Sequence, residues 1–384
     1  MSKQPIASMV LRIAGALSAC GALLLLSSNP VAADRDHITI GVILPLTGEA
    51  AHWGIPPRNG AQLAVEELNR AGGVGGRDLG LNIEDDRCKP ADGVAAFNKI
   101  MAAARPSIVL GAVCSGVTLA IAPLAESRKV VLISPASTSP KLTGAGEFIF
   151  RVVPSGSLRG KVFAEYVHRD RALRKIAVLY INNEGGIGGS TAFKARFTQL
   201  GGTVVTEEAY PPGTMDLRPQ LVRIKAAGAE GVLIGSYPPD TVAILRQAKE
   251  LDLQQPLFFT TEAVENPEVL REAGDAANGA IYILAAPPSG KAPENFTQAY
   301  AAKFGKMPEL FAAEGYDIVR LIAASGAAGN GASLSSFAIR DFLRHVRDYA
   351  GASGAITFNE GGDVIKPYAL KTIEAGRPKT ILIK

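Results

Sequence analysis

The sequence predicts an α/β protein built from two similar lobes. Short apolar runs alternate with segments of helical periodicity through residues 38–284, a pattern typical of parallel sheets flanked by helices. This alternation pauses at residues 152–157, around Pro154 and Gly156, and then resumes. With 384 residues and 47% hydrophobic composition, the chain is long enough to bury two ordinary cores.

The first lobe is expected to begin with a strand at 38–44, followed by a loop over 46–54 that carries Trp53. A helix comes next, because Ala61, Ala64 and Leu68 fall on one helical face, and Gly72 and Gly73 stop it. Strands are then predicted at 81–86, 107–111 and 130–133, and helices at 91–104 and 115–125, the latter with Ser115 as its N-cap.

The second lobe is expected to begin at about residue 157. Its predicted helices span 161–171, 190–200, 217–227 and 241–251, and its strands span 176–180, 203–207, 231–234, 257–260 and 280–284. Helices at 294–304, 311–324 and 335–349 have no strands between them, so we expect them to complete the first lobe. Strands are predicted at 356–358, 368–373 and 380–383. The expected N-terminal lobe is 34–156 plus 286–354 and the C-terminal lobe 157–285 plus 355–384, with three crossovers.

Composition and motifs argue against several classes of function. The net charge is only +4, so we expect no nucleic-acid partner. The four histidines show no metal-ligand spacing, and the sequence contains neither GxSxG nor HExxH. A glycine-rich run at 185–189 follows a strand but lacks the GxGxxG register of a dinucleotide site. We therefore expect a protein that is not an enzyme and holds no cofactor or metal.

The first 33 residues predict export. Lys3 and Arg12 precede an apolar stretch over 13–26, and a run of small residues ends at Ala33. We expect a signal peptide, 1–33, cleaved near Ala33, and a soluble periplasmic protein. The alternative is a lipoprotein, because Leu17-Ser18-Ala19-Cys20 resembles a lipobox.

Two cysteines remain after such cleavage, the even number expected in an oxidising compartment. Cys88 and Cys114 each follow the end of a predicted strand. They are expected to form a disulfide that closes a loop at the edge of the site, with two buried thiols as the alternative.

Polar residues follow neighbouring strands at 114–118 and 134–139, where the carboxyl edge of an open sheet would bring them together. Hydroxyls and backbone N–H groups at a helix start suit a small anion such as a carboxylate. Candidate ligand-binding side chains at predicted strand ends are Ser115, Thr118, Ser137, Thr138, Tyr237 and Glu262. Glu262 follows the strand at 257–260, and its carboxylate could neutralise a ligand ammonium.

A set of motifs in consistent order extends this interpretation. They are Ile40-Gly41-Val42 with Leu46-Thr47-Gly48, Ala71-Gly72-Gly73-Val74 with Gly76, Asp85-Asp86-Arg87-Cys88, Cys114-Ser115, Ser134-Pro135-Ala136-Ser137-Thr138 and Ile244-Leu245-Arg246-Gln247-Ala248. Together they resemble the leucine/isoleucine/valine-binding proteins of ABC transporters over essentially the whole mature chain. The resemblance implies a type I periplasmic-binding fold, with two lobes on a three-strand hinge that close around one ligand.

The resemblance also implies roles for individual residues. In the first lobe it implies that Ser115, Ala136, Ser137 and Thr138 bind the ligand's α-carboxylate and ammonium. In the second lobe it adds Tyr237 and Glu262, whose carboxylate pairs with the ligand ammonium. It also places Trp53, from the first lobe, over the ligand side chain. The implied partners are a small amino-acid ligand and an ABC-transporter membrane permease, and the implied state is a monomer.

One position departs from the family pattern. The family usually has a tyrosine just before the glycine that opens the second lobe's first helix, whereas this chain has Gly185. The loss of an aromatic wall should enlarge the side-chain pocket or loosen closure, which argues against strict branched-chain specificity. Glu262 still indicates an amino group on the ligand, so a branched-chain or related amino acid is expected. The alternatives are a ligand-sensing receptor of the same fold, or a binder of amides, urea-like compounds or aromatic acids. The sequence shows no output domain, which favours transport over sensing.

Overall fold

The structure, a computed structural model, describes residues 37–48, 50–253, 257–328 and 334–383. The predicted signal peptide, including Cys20 and Ala33, lies outside these ranges. Within them, no helix combines the length and the apolar character needed to cross a membrane.

The first lobe is built on a parallel sheet of five strands. These are β1 (Ile38–Leu44), β2 (Leu79–Asp85), β3 (Ile108–Gly111), β4 (Val131–Ser134) and β5 (Ile149–Arg151), in the order β2-β1-β3-β4-β5. Helices α1 (Ala51–Arg70), α2 (Pro90–Ala103) and α3 (Ser115–Ser127) follow its first three strands. Ile40 and Val42 of β1 belong to one core and Ile43 to another, so apolar packing covers both faces of the sheet.

The second lobe begins with α4 (Gly156–Glu165), whose end continues as a π-helical turn through Asp170. Its alternating elements are β6 (Lys175–Ile181), α5 (Glu184–Gln199), β7 (Thr203–Tyr210), α6 (Arg218–Ala226), β8 (Gly231–Gly235), α7 (Pro238–Glu250), β9 (Leu257–Thr260), α8 (Pro267–Ala273) and β10 (Ile281–Ala285). Strands β6 to β10 pair in parallel.

The remaining elements divide between the lobes. They are α9 (Lys291–Phe304), α10 (Ala312–Ala328), α11 (Ser336–His345), β11 (Tyr349–Gly351), β12 (Gly354–Ile356), β13 (Tyr368–Glu374) and β14 (Arg377–Ile383). The α10 and α11 side chains pack into the first core, and Phe296 of α9 packs against Leu63 of α1. Strands β13 and β14 are antiparallel and give the second sheet the order β14-β13-β10-β9-β8-β6-β7. The two-lobed α/β prediction is confirmed.

The chain passes between the two sheets after β5, after β10 and before β13. Ile356, Phe358 and Val364 still pack in the first core, and Asp363 forms a bridge beside Arg151 of β5. We therefore propose that the third crossover falls between Val364 and Tyr368, later than the expected boundary at residue 355.

Strand β5 was not expected, and the helix expected over 335–349 ends at His345, before β11 begins. Three further expectations differ from the structure. Trp53 lies in the first turn of α1, where a loop was expected. The glycine-rich run at 185–189 lies inside α5, where it was expected to precede the helix. Ser115 is the first residue of α3, and Cys114 holds the cap position without a side-chain cap. In the first two cases tertiary packing extends the helix beyond what local propensity suggests.

Candidate functional site

A cavity of about 90 Å³ lies between the carboxyl ends of the parallel strands of the two sheets. This volume is several times the roughly 10–15 Å³ that a cavity needs to admit one water molecule, so the cavity has room for a small ligand. Both lobes line it, and the lining includes Trp53, Ser115, Ala136 and Thr138 from the first lobe and Arg159, Gly185, Gly189, Tyr237, Thr260 and Glu262 from the second. Six of the eight candidate ligand-binding residues, all but Thr118 and Ser137, thus line one cavity.

The first-lobe rim offers hydrogen-bond donors at the start of α3. Val117 and Thr118 donate their N–H groups to the Cys114 carbonyl, so the Ser115 and Gly116 N–H groups precede the first helical hydrogen bonds. The Ser115 Oγ accepts a hydrogen bond from the Ser139 N–H at 3.2 Å. The first N–H groups of a helix favour an anion, which makes this rim suited to a carboxylate.

Ser137 does not line the cavity. Its hydroxyl is fully buried and lies 2.9 Å from the Val113 carbonyl oxygen and 2.7 Å from the Thr118 Oγ1. Its N–H donates to the Ser134 Oγ at 2.9 Å. The side chains of Ser137 and Thr118 therefore fix the loop that follows β4 to the end of β3.

Arg151 also fixes the loop that follows β4, through hydrogen bonds to its backbone carbonyls. Its Nη1 donates to the carbonyl oxygens of Ser137 (3.3 Å) and Ser139 (2.8 Å), and its Nε donates to the Asp363 Oδ1 at 2.6 Å. Arg151 is 1% exposed. Nothing in the sequence marks Arg151 as a site residue, because an arginine at the end of a short apolar run carries no signal that distinguishes it from a surface cation.

Cys88 and Cys114 form a disulfide, with their Cα atoms 5.5 Å apart, as predicted. It fixes the residue before α3 to the chain after β2. Beneath it, Asp86 is fully buried and accepts a hydrogen bond from the Cys88 N–H at 2.7 Å. Burial raises the pKa of Asp86 to about 7, with the nearby charges of Asp85 and Asp92 adding to the effect.

Aromatic rings from the two lobes meet at the cavity. The Trp53 and Tyr237 rings pack edge to face with their centroids 4.3 Å apart. The Tyr237 hydroxyl accepts a hydrogen bond from the Asn183 Nδ2 at 2.9 Å, and burial raises the pKa of Tyr237 to about 12. The phenol is therefore neutral at physiological pH, and its proton is available for a ligand oxygen.

Glu262 forms an ion pair with Arg159 inside the cavity. The Arg159 Nη1 donates to the Glu262 Oε2 at 2.8 Å, and the side chains are 14% and 17% exposed. Arg159 was missed, because the sequence placed it just ahead of a predicted helix with nothing to mark it as a site residue. The second-lobe rim thus offers a cation and an anion together, whereas the sequence suggested only the anion.

The glycines of α5 have two distinct roles. A Cβ on Gly186 would lie 2.2 Å from the Ile181 carbonyl oxygen, and one on Gly188 would lie 2.4 Å from the Pro140 Cδ of the opposite lobe. These two glycines permit close packing. A Cβ on Gly185 or Gly189 would have no neighbour nearer than 3.5 Å, so these positions form an open cavity wall.

The chemistry of the site is that of holding a small molecule. Its polar groups are hydroxyls, helix-start N–H groups and one ion pair. Across the described part of the chain, no three His, Cys, Asp or Glu side chains are grouped to hold a metal ion. Two lobes that enclose a cavity of this size at the facing ends of their sheets define the class of two-lobed solute-binding proteins.

Comparison with known proteins identifies the family. The family model described as periplasmic binding protein matches residues 37–378, and the chain belongs to this family of binding proteins, which are not enzymes. The chain is 32% identical over 333 residues to Leu/Ile/Val-binding protein homolog 3 of Brucella melitensis, covering 86% of this chain and 89% of that protein.

Two further comparisons agree. A leucine-, isoleucine-, valine-, threonine- and alanine-binding protein of Pseudomonas aeruginosa is 33% identical over 293 residues, covering 75% of this chain and 77% of that protein. The crystal structure of a leucine-binding protein from Thermotoga maritima is 27% identical with a TM-score of 0.84, covering 90% of this chain and 98% of that one. The resemblance to leucine/isoleucine/valine-binding proteins and the type I periplasmic-binding fold are confirmed.

Proposed function

We propose that this protein captures an amino acid between its lobes and delivers it to the membrane permease of an ABC transporter. The observation that carries the proposal is the cavity itself, with helix-start donors on the first-lobe rim and the Glu262 carboxylate on the second. An amino acid carries a carboxylate and an ammonium on the same carbon atom, which matches this pair of rims. Relatives named as amino-acid-binding proteins, at 32% and 33% identity, support the same ligand class.

In this proposal the ligand carboxylate lies at the Ser115 and Thr138 hydroxyls and the helix-start N–H groups, with Ala136 beside them. The Tyr237 hydroxyl donates to a ligand oxygen. Glu262 binds the ammonium, and Trp53 covers the side chain. Ser137 acts indirectly by fixing the loop.

The finer points of export and assembly are also proposals. The pattern of residues 1–33 supports a signal peptide cleaved near Ala33, which would release a soluble periplasmic protein. We propose that this protein works as a monomer, because one chain supplies both rims of the cavity.

Replacing Glu262 with glutamine tests the ligand class. For the tightest-binding L-amino acid, the substitution should weaken binding by about 2 kcal/mol or more, roughly thirtyfold in Kd, because the ammonium loses a charged partner in a closed cleft. The deaminated analogue of the same amino acid should show no such loss. Titration calorimetry on the ligand-stripped protein measures both affinities.

The matched control is Glu265→Gln. Glu265 pairs with Lys371 at 2.5 Å and lines a neighbouring cavity at the hinge rather than the ligand cavity. The Glu265→Gln substitution should leave the affinity for the amino acid unchanged. An amino-acid affinity that survives Glu262→Gln intact would refute the amino-acid assignment.

A further inference from the structure

Arg159 has more hydrogen-bonding capacity at the ligand cavity than its one partner uses. A guanidinium carries five N–H donors. One of them bonds to Glu262, and among the described residues no other acceptor is bonded to this side chain. Because Arg159 is only 14% exposed, its remaining donors are surrounded by the ligand cavity and the adjoining hinge cavity, both of which it lines.

Thr260 provides a second, independent observation. It ends β9, is 1% exposed and lines the same cavity. Its Oγ1 is buried without a hydrogen-bond partner among the described residues. Buried hydroxyls are normally paired, so an unpaired one that lines a ligand cavity points to a polar atom of the ligand.

The two ends of the cavity are spaced along α5. The Cβ position of Gly185 is 3.9 Å from the Ser115 Oγ, and that of Gly189 is 3.7 Å from the Arg159 Nη2. Four residues of an α-helix rise about 6 Å, so the carboxylate rim and Arg159 lie about one turn apart. A ligand carboxylate at Ser115 would therefore leave the end of a short side chain near Arg159.

We propose that Arg159, assisted by Thr260, binds an oxygen atom in the ligand's side chain. The preferred ligand is then a short amino acid with a carboxylate or carboxamide side chain, such as aspartate or asparagine. This inference rests on the proposed function, in which Glu262 binds the α-ammonium. An aliphatic side chain of the same size would bury the donors of Arg159 without an acceptor, which costs affinity.

The competing assignment is purely structural. Arg159 would only neutralise Glu262, and its other N–H groups would be hydrated from the hinge cavity of about 360 Å³. On that assignment, removal of Arg159 changes the affinity for every amino acid by the same factor, because all of them share the α-ammonium that Glu262 binds.

Calorimetric titration with leucine, asparagine and aspartate separates the two assignments, because these ligands have the same number of non-hydrogen atoms and nearly the same shape. The wild-type protein is expected to bind asparagine or aspartate at least about tenfold more tightly than leucine. If asparagine binds more tightly, the subsite prefers a neutral carboxamide; if aspartate does, it prefers a charged carboxylate. Leucine binding as tightly as both would overturn the inference.

Variants of Arg159 and Thr260 then test whether these side chains cause the preference for asparagine or aspartate over leucine. In Arg159→Met the preference over leucine should fall to about threefold or less, and in Thr260→Val it should fall by a smaller factor. Arg159→Lys keeps the charge and serves if the methionine variant does not fold. An equal change in affinity for all three ligands, with the preference over leucine retained, supports the structural assignment and overturns ours. If these three amino acids bind without preference, or if only other amino acids bind, this inference fails and the proposed function stands. If no amino acid binds, the proposed function itself fails.

Discussion

Replacement of Arg151 by methionine is expected to lower the free energy of unfolding by about 3–5 kcal/mol, the usual cost of breaking a buried ion pair by removing one partner. The Asp363 carboxylate would remain 6% exposed without its cation. The Thr143 Oγ1, which bonds both side chains, cannot replace the lost charge. Urea unfolding of the ligand-stripped protein, followed by circular dichroism, measures the change.

The same substitution should also weaken ligand binding, because Arg151 holds the carbonyls on either side of Thr138. Arg151→Lys keeps the charge but loses the forked geometry, so its effects should be intermediate. The control is Arg218→Met. The ion pair of Arg218 with Glu250 is exposed to solvent, with side chains 47% and 48% exposed, and should contribute little to stability. Equal effects of Arg151→Met and Arg218→Met would contradict the role given to Arg151.

Asp86→Asn is expected to stabilise the protein at alkaline pH by a few kcal/mol. Burial raises the pKa of Asp86 from 3.8 to about 7 in the folded protein, and each pKa unit corresponds to about 1.4 kcal/mol. The folded state therefore binds a proton more tightly than the unfolded state does. The stability that this proton confers is fully present below about pH 4 and is lost as the pH rises through about 7.

The difference in unfolding free energy between wild type and Asp86→Asn, measured from pH 4 to 8, isolates this group from other titrating residues. The asparagine keeps an oxygen to accept the Cys88 N–H, so the two proteins should be similar at pH 4 and diverge toward pH 8. The control is Asp92→Asn, because Asp92 pairs with Arg87 at the surface and its pKa is lowered. A pH-independent difference for Asp86→Asn would show that its carboxyl titrates normally.

The sequence was sufficient for the architecture because the signals were local. Apolar runs ending in polar loops marked every strand of the two sheets except the three-residue edge strand β5. The carboxyl-edge rule brought Ser115, Thr138 and Glu262 to one cavity. The pairing of Cys88 with Cys114 followed from their number and from their positions at strand ends.

The missed features depend on contacts between residues far apart in the chain. Arg151 meets Asp363 across more than two hundred residues, and Arg159 meets Glu262 across about a hundred. Neither ion pair produces a periodic pattern in the sequence from which it could be predicted. The helical state of residues 185–189 was missed for a related reason, since packing against Ile181 and Pro140 overrides the low helix propensity of glycine.

The most direct test of the central claim is a thermal-shift screen of the mature, ligand-stripped protein against amino acids, amides and aromatic acids. A ligand that binds only the folded state and is present at a hundred times its Kd adds about 2.7 kcal/mol of stability, enough to raise the Tm measurably. We predict stabilisation by L-amino acids, which carry both a carboxylate and an ammonium, and none by their deaminated analogues at the same concentration. Stabilisation only by compounds without an amino group would contradict the assignment of Glu262 and, with it, the proposed function.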